Sequence, residues 1–226
     1  MTKATWYFDV ISPFAYLQAM RLDQLPDDVR LICKPTLFAG YLNHWGHLGP
    51  AEIEPKKVFI FRQCAWRARR TGIDFNLPPN HPFNPLRALR LAEALDGDLK
   101  AVQAIFRSVW VDGNLPDNDE GWAGMQASAG VTDGDALVND PEIKARLMTN
   151  GDEAIAAGAF GVPTFVINDE VFWGDDAFEM IFDYLENPEM LVDDDMKWAV
   201  ELVPTAERNR KIEIQLQRTP VPPRPQ

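Results

Sequence analysis

Apolar residues recur along this chain with two periods, one suited to strands and one to helices. Aromatic and β-branched residues crowd Thr5 to Ile11 (TWYFDVI) and stop at Ser12-Pro13, which predicts a buried strand running into a turn. A helix follows: Ser12 is a favoured N-cap, Pro13 stands where a helix tolerates proline best, and Phe14, Leu17, Met20 and Leu25 form an apolar stripe. Val29 to Cys33 reads as a second strand, closing a strand-helix-strand unit. The stretch from Ala39 to Pro55 reads as loop, because glycine, proline and histidine interrupt any periodicity. Helical spacing resumes at Lys56 and ends at Gly72, and the proline-rich Asn76 to Pro85 cannot be helix interior. Helices are predicted over about 86–95, 99–111, 119–129, 133–138 and 141–157. Thr164 to Ile167, a turn at Asn168-Asp169, and Val171 to Trp173 give a β-hairpin signal, followed by a helix from Asp176 to Leu185. Pro220 to Gln226 is expected to form an extended, mobile end.

Composition narrows the class without naming it. The chain has 226 residues, 46% hydrophobic, with seven Trp and thirteen Phe, enough to build one substantial core with an inserted subdomain. A net charge of −12 argues against a nucleic-acid partner, because phosphate backbones reward clustered Lys and Arg. Lys56, Lys57, Arg62, Arg67, Arg69 and Arg70 are a local exception, either a solvated helix face or an anion-guiding patch. No run approaches the roughly 18 apolar residues of a membrane span, and Met1 to Trp6 lacks the apolar core of a signal peptide, so a cytoplasmic location and no membrane partner are expected.

Cysteine usage excludes one chemistry. Cys33 and Cys64 match neither a CxxC redox pair nor a zinc spacing, and both are expected to be buried thiols. Ser12-Pro13-Phe14-Ala15 stands at a strand-to-helix turn with no sulfur in it, so disulfide exchange, which needs a thiolate, is excluded there. A helix cap alone would account for Ser12. That role is compatible with a second one, since a helix start also attracts anions. Gly161-Val162-Pro163-Thr164 puts a proline directly before a strand, where a simple turn is one reading and a cis bond that bares the Val162 backbone groups is the other. His44-x-x-His47 without a third ligand makes no metal site, and no metal is expected.

The run Tyr7-Phe8-Asp9-Val10-Ile11-Ser12-Pro13-Phe14-Ala15-Tyr16-Leu17, the loop Phe160-Gly161-Val162-Pro163-Thr164 and the segment Trp173-Gly174-Asp175-Asp176 together resemble the 2-hydroxychromene-2-carboxylate isomerases and their kappa-class glutathione transferase relatives. The resemblance implies an α/β thioredoxin fold of the DsbA-like kind, with a helical subdomain inserted after the second strand. Residues 1–38 and 158–187 would form the thioredoxin-like part, 39–157 the insertion, and 188–226 a C-terminal extension. It implies glutathione as cofactor, its thiol at Ser12, its peptide backbone on Val162 and its γ-glutamyl end around Trp173, Gly174, Asp175 and Asp176. Ser12 would be the catalytic residue, donating its hydroxyl to the thiolate. An ordinary thiol is a few per cent ionised at pH 7, and lowering its pKa by about two units takes roughly 2.7 kcal/mol. The substrate would be a small aromatic-degradation intermediate and the protein a homodimer.

The resemblance is incomplete where substrate would be held. The family's loop lysine falls on Leu42 and its Asn-Arg pair on Glu52-Ile53, whereas a pocket tyrosine falls near His81 and a loop asparagine on His47, leaving His81 and His47 as candidate substrate contacts. Three activities therefore stay open: isomerisation, conjugation as in a kappa-class transferase, and non-catalytic binding of an extended peptide in the Val162-Pro163 groove.

Overall fold

The computed structural model describes residues 1–206, so the end at Pro220 to Gln226 lies outside the described residues. Met1–Glu186 forms one compact unit and the described residues from Asn187 onward a second. The first is built on four strands, β1 (Thr2–Phe8), β2 (Val29–Pro35), β3 (Thr164–Ile167) and β4 (Glu170–Trp173), in the order β2-β1-β3-β4. β1 pairs parallel with β2 and antiparallel with β3, and β3 pairs antiparallel with β4. The expected fold class is what the chain adopts: a thioredoxin layer with helices inserted after β2. The register Tyr7↔Thr164 and Thr164↔Trp173 places three chain ends at one edge of the sheet: the exit of β1, the entry to β3 and the exit of β4.

Nine helices belong to this unit: α1 (Pro13–Ala19), α2 (Phe38–Trp45), α3 (Glu54–Thr71), α4 (Leu86–Ala94), α5 (Leu99–Trp110), α6 (Asp119–Ser128), α7 (Gly134–Asn139), α8 (Pro141–Ala156) and α9 (Phe178–Glu186). In α5, α6, α7 and α8 the residue before the helix, Asp98, Asn118, Asp133 or Asp140, accepts a bond from a first-turn N–H. Such caps are worth about 1 kcal/mol each. α5 turns Val102, Ile105, Phe106, Val109 and Trp110 into the interior, at roughly 1.5–3 kcal/mol per large apolar side chain. There they meet Trp6 and Phe8 of β1, whose rings stack 4.5 Å apart. Gly97, with φ of 64°, makes the α4–α5 turn possible, because a Cβ there would lie 2.2 Å from the Cys33 carbonyl oxygen.

Two expected boundaries shift. The first strand ends at Phe8 instead of Ile11, because Asp9 to Ile11 leave the sheet and bond to side chains. The segment expected to be loop between Ala39 and Pro55 contains α2, whose N-terminal Phe38 N–H donates to the Asp9 carboxylate at 2.8 Å. That cap comes from far along the chain. Gly46, in the left-handed region at φ 64°, ends the helix, and Tyr41 anchors it in the interior. In the second unit a short 3-10 turn, Pro188–Val192, precedes α10 (Asp194–Glu201), capped by Asp193.

Candidate functional site

Ser12 is the N-cap of α1. Its Oγ accepts from Ala15 N–H at 3.2 Å, its own N–H donates to the Asp9 carbonyl at 3.1 Å, and the residue is 9% exposed. Oγ is thus used as an acceptor, and its hydroxyl hydrogen has no acceptor among the described residues. Across the sheet edge, the Val162-Pro163 peptide bond is cis. Val162 packs with Tyr7, Tyr41, Ala154 and Ala159. Neither its N–H nor its C=O is hydrogen-bonded among the described residues, although nearly all buried backbone groups in proteins are paired. Its neighbours are fixed: Thr164 Oγ1 donates to the Gly161 carbonyl at 2.8 Å, and Gly174 N–H to the Pro163 carbonyl at 2.9 Å.

Gly174 ties the Val162-Pro163 loop to α1. Its carbonyl accepts from Gln18 Nε2 of α1 at 3.1 Å, and Gln18 Oε1 accepts from Trp6 Nε1 of β1 at 2.6 Å. Gln18, almost fully buried, was not singled out by sequence, since a glutamine in a helix carries no signal without its partners. Trp173 is 51% exposed, with its ring 5.1 Å from that of Phe160. A Cβ on Gly161 would come within 2.6 Å of Trp173 Nε1, so the indole lies directly on the Gly161-Val162 backbone.

The two acids after Gly174 part company. Asp175 is buried, with its carboxylate shared between Arg21, just after α1, and Arg67 of α3, the latter at 3.1 Å. Burial raises its pKa and the two guanidiniums lower it in part. Both of its oxygens are committed to tying the turn before α9 to the segment after α1 and to α3, which is a different use from the cofactor contact expected of it. Asp176 is exposed, and its carboxylate folds over the Gly174 backbone. A cleft of about 220 Å³ beside Asp175 is lined by Leu17, Arg21, Trp66, Arg67, Arg70 and Glu179, among others. Of the basic run on α3, Arg67 faces this cleft and stacks toward Phe14 with 6.0 Å to the ring, Lys57 pairs with Glu54, and Lys56, Arg62, Arg69 and Arg70 are exposed.

The two candidate histidines separate as well. His47 is exposed at the end of α2, without a side-chain hydrogen bond among the described residues, and is not brought to Ser12 by any bond. His81 is: its Nε2 lies 2.9 Å from the carbonyl oxygen of Ile11, the residue before Ser12. Of the positions where the family's substrate clamp would fall, Glu52 turns back onto the Gly49 N–H and Ile53 is exposed. Among the described residues no group of three or more His, Cys, Asp or Glu could hold a metal, and no helix is long and apolar enough to cross a membrane. Both cysteines are buried and free, with burial raising each thiol to about 12.

Asp9 is the site residue that sequence reasoning quoted without giving it a role. It is fully buried, and its carboxylate accepts from Ile11 N–H at 3.0 Å and from Phe38 N–H at 2.8 Å. Burial lifts its pKa to about 7 against the pull of those two donors.

A 2-hydroxychromene-2-carboxylate isomerase from Sphingobium xenophagum is 28% identical over 195 residues, covering 82% of this chain and 99% of that protein. Glutathione S-transferase kappa 2 of Caenorhabditis elegans is 27% identical over 207 residues, covering 81% of this chain and 91% of that protein. A solved 2-hydroxychromene-2-carboxylate isomerase structure superposes with a TM-score of 0.71 at 24% identity, covering 84% of this chain and 98% of the other. The DsbA-like thioredoxin domain profile matches residues 5–186, spanning all four strands and the whole insertion between them, and the chain therefore belongs to the DsbA-like thioredoxin domain family, related within it to the 2-hydroxychromene-2-carboxylate isomerases and kappa-class glutathione transferases.

Proposed function

We propose that the groove between Ser12 and Val162 holds glutathione and that the protein is a glutathione-dependent isomerase acting on a small aromatic-degradation intermediate of the 2-hydroxychromene-2-carboxylate type. The observation that carries this is Val162: a donor and an acceptor on one residue, both without partners among the described residues, as an extended peptide backbone would require. Ser12 fits the thiol end, because its oxygen is already an acceptor and its hydrogen remains to be donated. When bound, glutathione supplies the nucleophilic sulfur that adds to the substrate and is released unchanged. Ser12 Oγ–H keeps that sulfur ionised at neutral pH. Among the described residues no base is hydrogen-bonded to Ser12, so the hydroxyl acts as a donor and not as a nucleophile. Trp173 and Phe160 would offer an aromatic flank to the bound peptide, and the exposed Asp176 would supply a carboxylate for its γ-glutamyl ammonium.

Conjugation in the manner of a kappa-class transferase is the second reading. It is favoured by the apolar Leu42 and Ile53 and the self-engaged Glu52 where the family's substrate clamp would fall. Non-catalytic binding of an extended peptide would use the same Val162 groups but would not need Ser12. Replacing Ser12 with Ala tests the proposal. A hydrogen bond to a thiolate is worth about 1.5–3 kcal/mol, so turnover of 2-hydroxychromene-2-carboxylate at neutral pH should fall roughly tenfold to hundredfold and recover in part as pH rises. Unchanged turnover with full glutathione dependence would remove Ser12 from the chemistry. Failure of glutathione to bind, by calorimetry, would favour the peptide-binding alternative. We also propose a homodimer joined through the helical insertion, where α3 leaves Phe59 and Trp66 more than half exposed; a monomeric mass by light scattering would exclude it.

A further inference from the structure

The two peptide planes that lead into Ser12 belong to neither strand nor helix, yet all four of their polar groups are bonded. In the first plane, the Val10 carbonyl accepts from Trp110 Nε1 at 2.9 Å and Ile11 N–H donates to Asp9 Oδ1 at 3.0 Å. In the second, the Ile11 carbonyl faces His81 Nε2 at 2.9 Å and Ser12 N–H donates to the Asp9 carbonyl at 3.1 Å. Three of the four partners are side chains, and they come from the end of β1, the loop before α4 and the end of α5. The position of Ser12 is therefore set by the neighbouring Asp9 and by two remote side chains, His81 and Trp110, and not by a backbone ladder.

We propose that His81 is a positioning residue for Ser12, holding the Ile11–Ser12 peptide plane as the last member of a clamp whose other members are Asp9 and Trp110. A carbonyl can only accept, so Nε2 must carry the imidazole proton and Nδ1 is the bare nitrogen. The surroundings agree with a neutral ring in that tautomer. His81 lies edge-on to Phe61 at 4.9 Å and near Phe83 and Trp110, and Nδ1 is buried without a partner among the described residues. Burial lowers the imidazole pKa, the Ile11 bond raises it, and the charge of Lys57 on α3 lowers it further. His81 thus acts through the backbone, with Nε2 engaged by the Ile11 carbonyl, a role different from the substrate contact expected of it. The inference rests on Ser12 being the thiolate donor, because the clamp matters to chemistry only if a small displacement of that hydroxyl weakens its bond to sulfur.

The experiment compares His81→Phe, which keeps an aromatic ring and loses the donor, with His81→Gln, which restores an N–H at the reach of Nε2, and with Ser12→Ala. The first readout is amide hydrogen exchange at Ser12 in the ligand-free protein. It should speed up by about three- to tenfold in His81→Phe and return toward wild type in His81→Gln. The second is the pKa of the glutathione thiol bound to the protein, read from the ultraviolet absorbance of the thiolate. It should rise in His81→Phe, with kcat falling by a similar factor and the KM for glutathione little changed, and His81→Gln should reverse both. If Ser12→Ala raises the thiol pKa while His81→Phe alters neither readout, the clamp is overturned and the Ser12 reading stands. If Ser12→Ala leaves the thiol pKa unchanged, the Ser12 reading fails, and exchange alone then decides whether His81 orders the loop. Loss in His81→Phe that His81→Gln does not reverse would assign the effect to ring packing and overturn the proposal.

Discussion

Replacing Asp175 with Asn should destabilise the ligand-free protein by about 2–4 kcal/mol, an outcome a residue reserved for a cofactor would not produce. The Asp175 side chain is 3% exposed, and each of its oxygens meets a different guanidinium, Arg21 just after α1 and Arg67 on α3. Asparagine keeps one acceptor and removes the charge, so one arginine loses its partner and two cations remain side by side. Removing one member of a buried ion pair costs about 3–5 kcal/mol, much of it the penalty of leaving the other charge unpaired. Arg21 and Arg67 are 16% and 25% exposed, so water can recover part of that loss, which sets the lower figure. Arg21 also stacks on the Phe178 ring at 4.9 Å, and its displacement would loosen the start of α9. The assay is urea unfolding without ligand, supported by melting, where such a loss corresponds to a drop of roughly 5–15 °C for a domain of this size. Asp176→Asn, at an exposed position, should stay within about 0.5 kcal/mol of wild type. An Asp175→Asn protein that unfolds at the wild-type urea concentration but binds glutathione weakly would refute the reasoning, because Asp175 would then serve the ligand and not the fold.

Asp9 makes stability depend on pH in the direction opposite to an ordinary salt-bridged carboxylate. Its folded pKa of about 7 lies above the ordinary 3.8, so between those values the native state holds a proton that the unfolded chain has released. Stability should fall as pH rises from about 4 to about 7 and level off above, by an amount on the order of 4 kcal/mol, and Asp9→Asn should flatten this component in pH-dependent urea titrations. A slope unchanged by the substitution would remove the group from the account. Gly161→Ala would press a methyl carbon onto the Trp173 indole, so it should shift tryptophan fluorescence and weaken glutathione binding while circular dichroism stays near wild type; unaltered affinity would separate Trp173 from the groove. Cys33 and Cys64 should not react with a thiol reagent in the native protein and should both react in denaturant, since burial holds each thiol near 12.

Much of the framework was legible in the sequence because local signals and tertiary contacts agree there. The dense apolar run at β1, the hairpin turn between β3 and β4, and the periodic segments of α4 to α8, capped from α5 onward, each specify their conformation within a few neighbouring residues. Ser12-Pro13 marks the start of α1 for the same reason, since a cap bonds only three residues ahead, at Ala15. Chain order did the rest: strands on both sides of a helical block imply the inserted thioredoxin layer.

What only the tertiary structure decided are the features made by residues distant in the chain. α2 forms where the sequence suggested loop because its first N–H is capped by Asp9, 29 residues earlier, and because Tyr41 finds a buried site. The early end of β1 has in part the same origin, the Val10 and Ile11 carbonyls being taken up by Trp110 and His81 while the adjacent Asp9 takes the Ile11 N–H. Asp175 and Asp176 are adjacent and chemically alike, yet one is sealed between two arginines and the other stands in water, a difference set by where Arg21 and Arg67 arrive. His47 and His81 diverge for a similar reason, one on an exposed helix end and the other seated among Phe61, Phe83 and Trp110 beside the Ile11 carbonyl. Residue type and near neighbours fix what a side chain is able to do, whereas its burial and its partners, which select among those abilities, depend on contacts that sequence spacing does not encode.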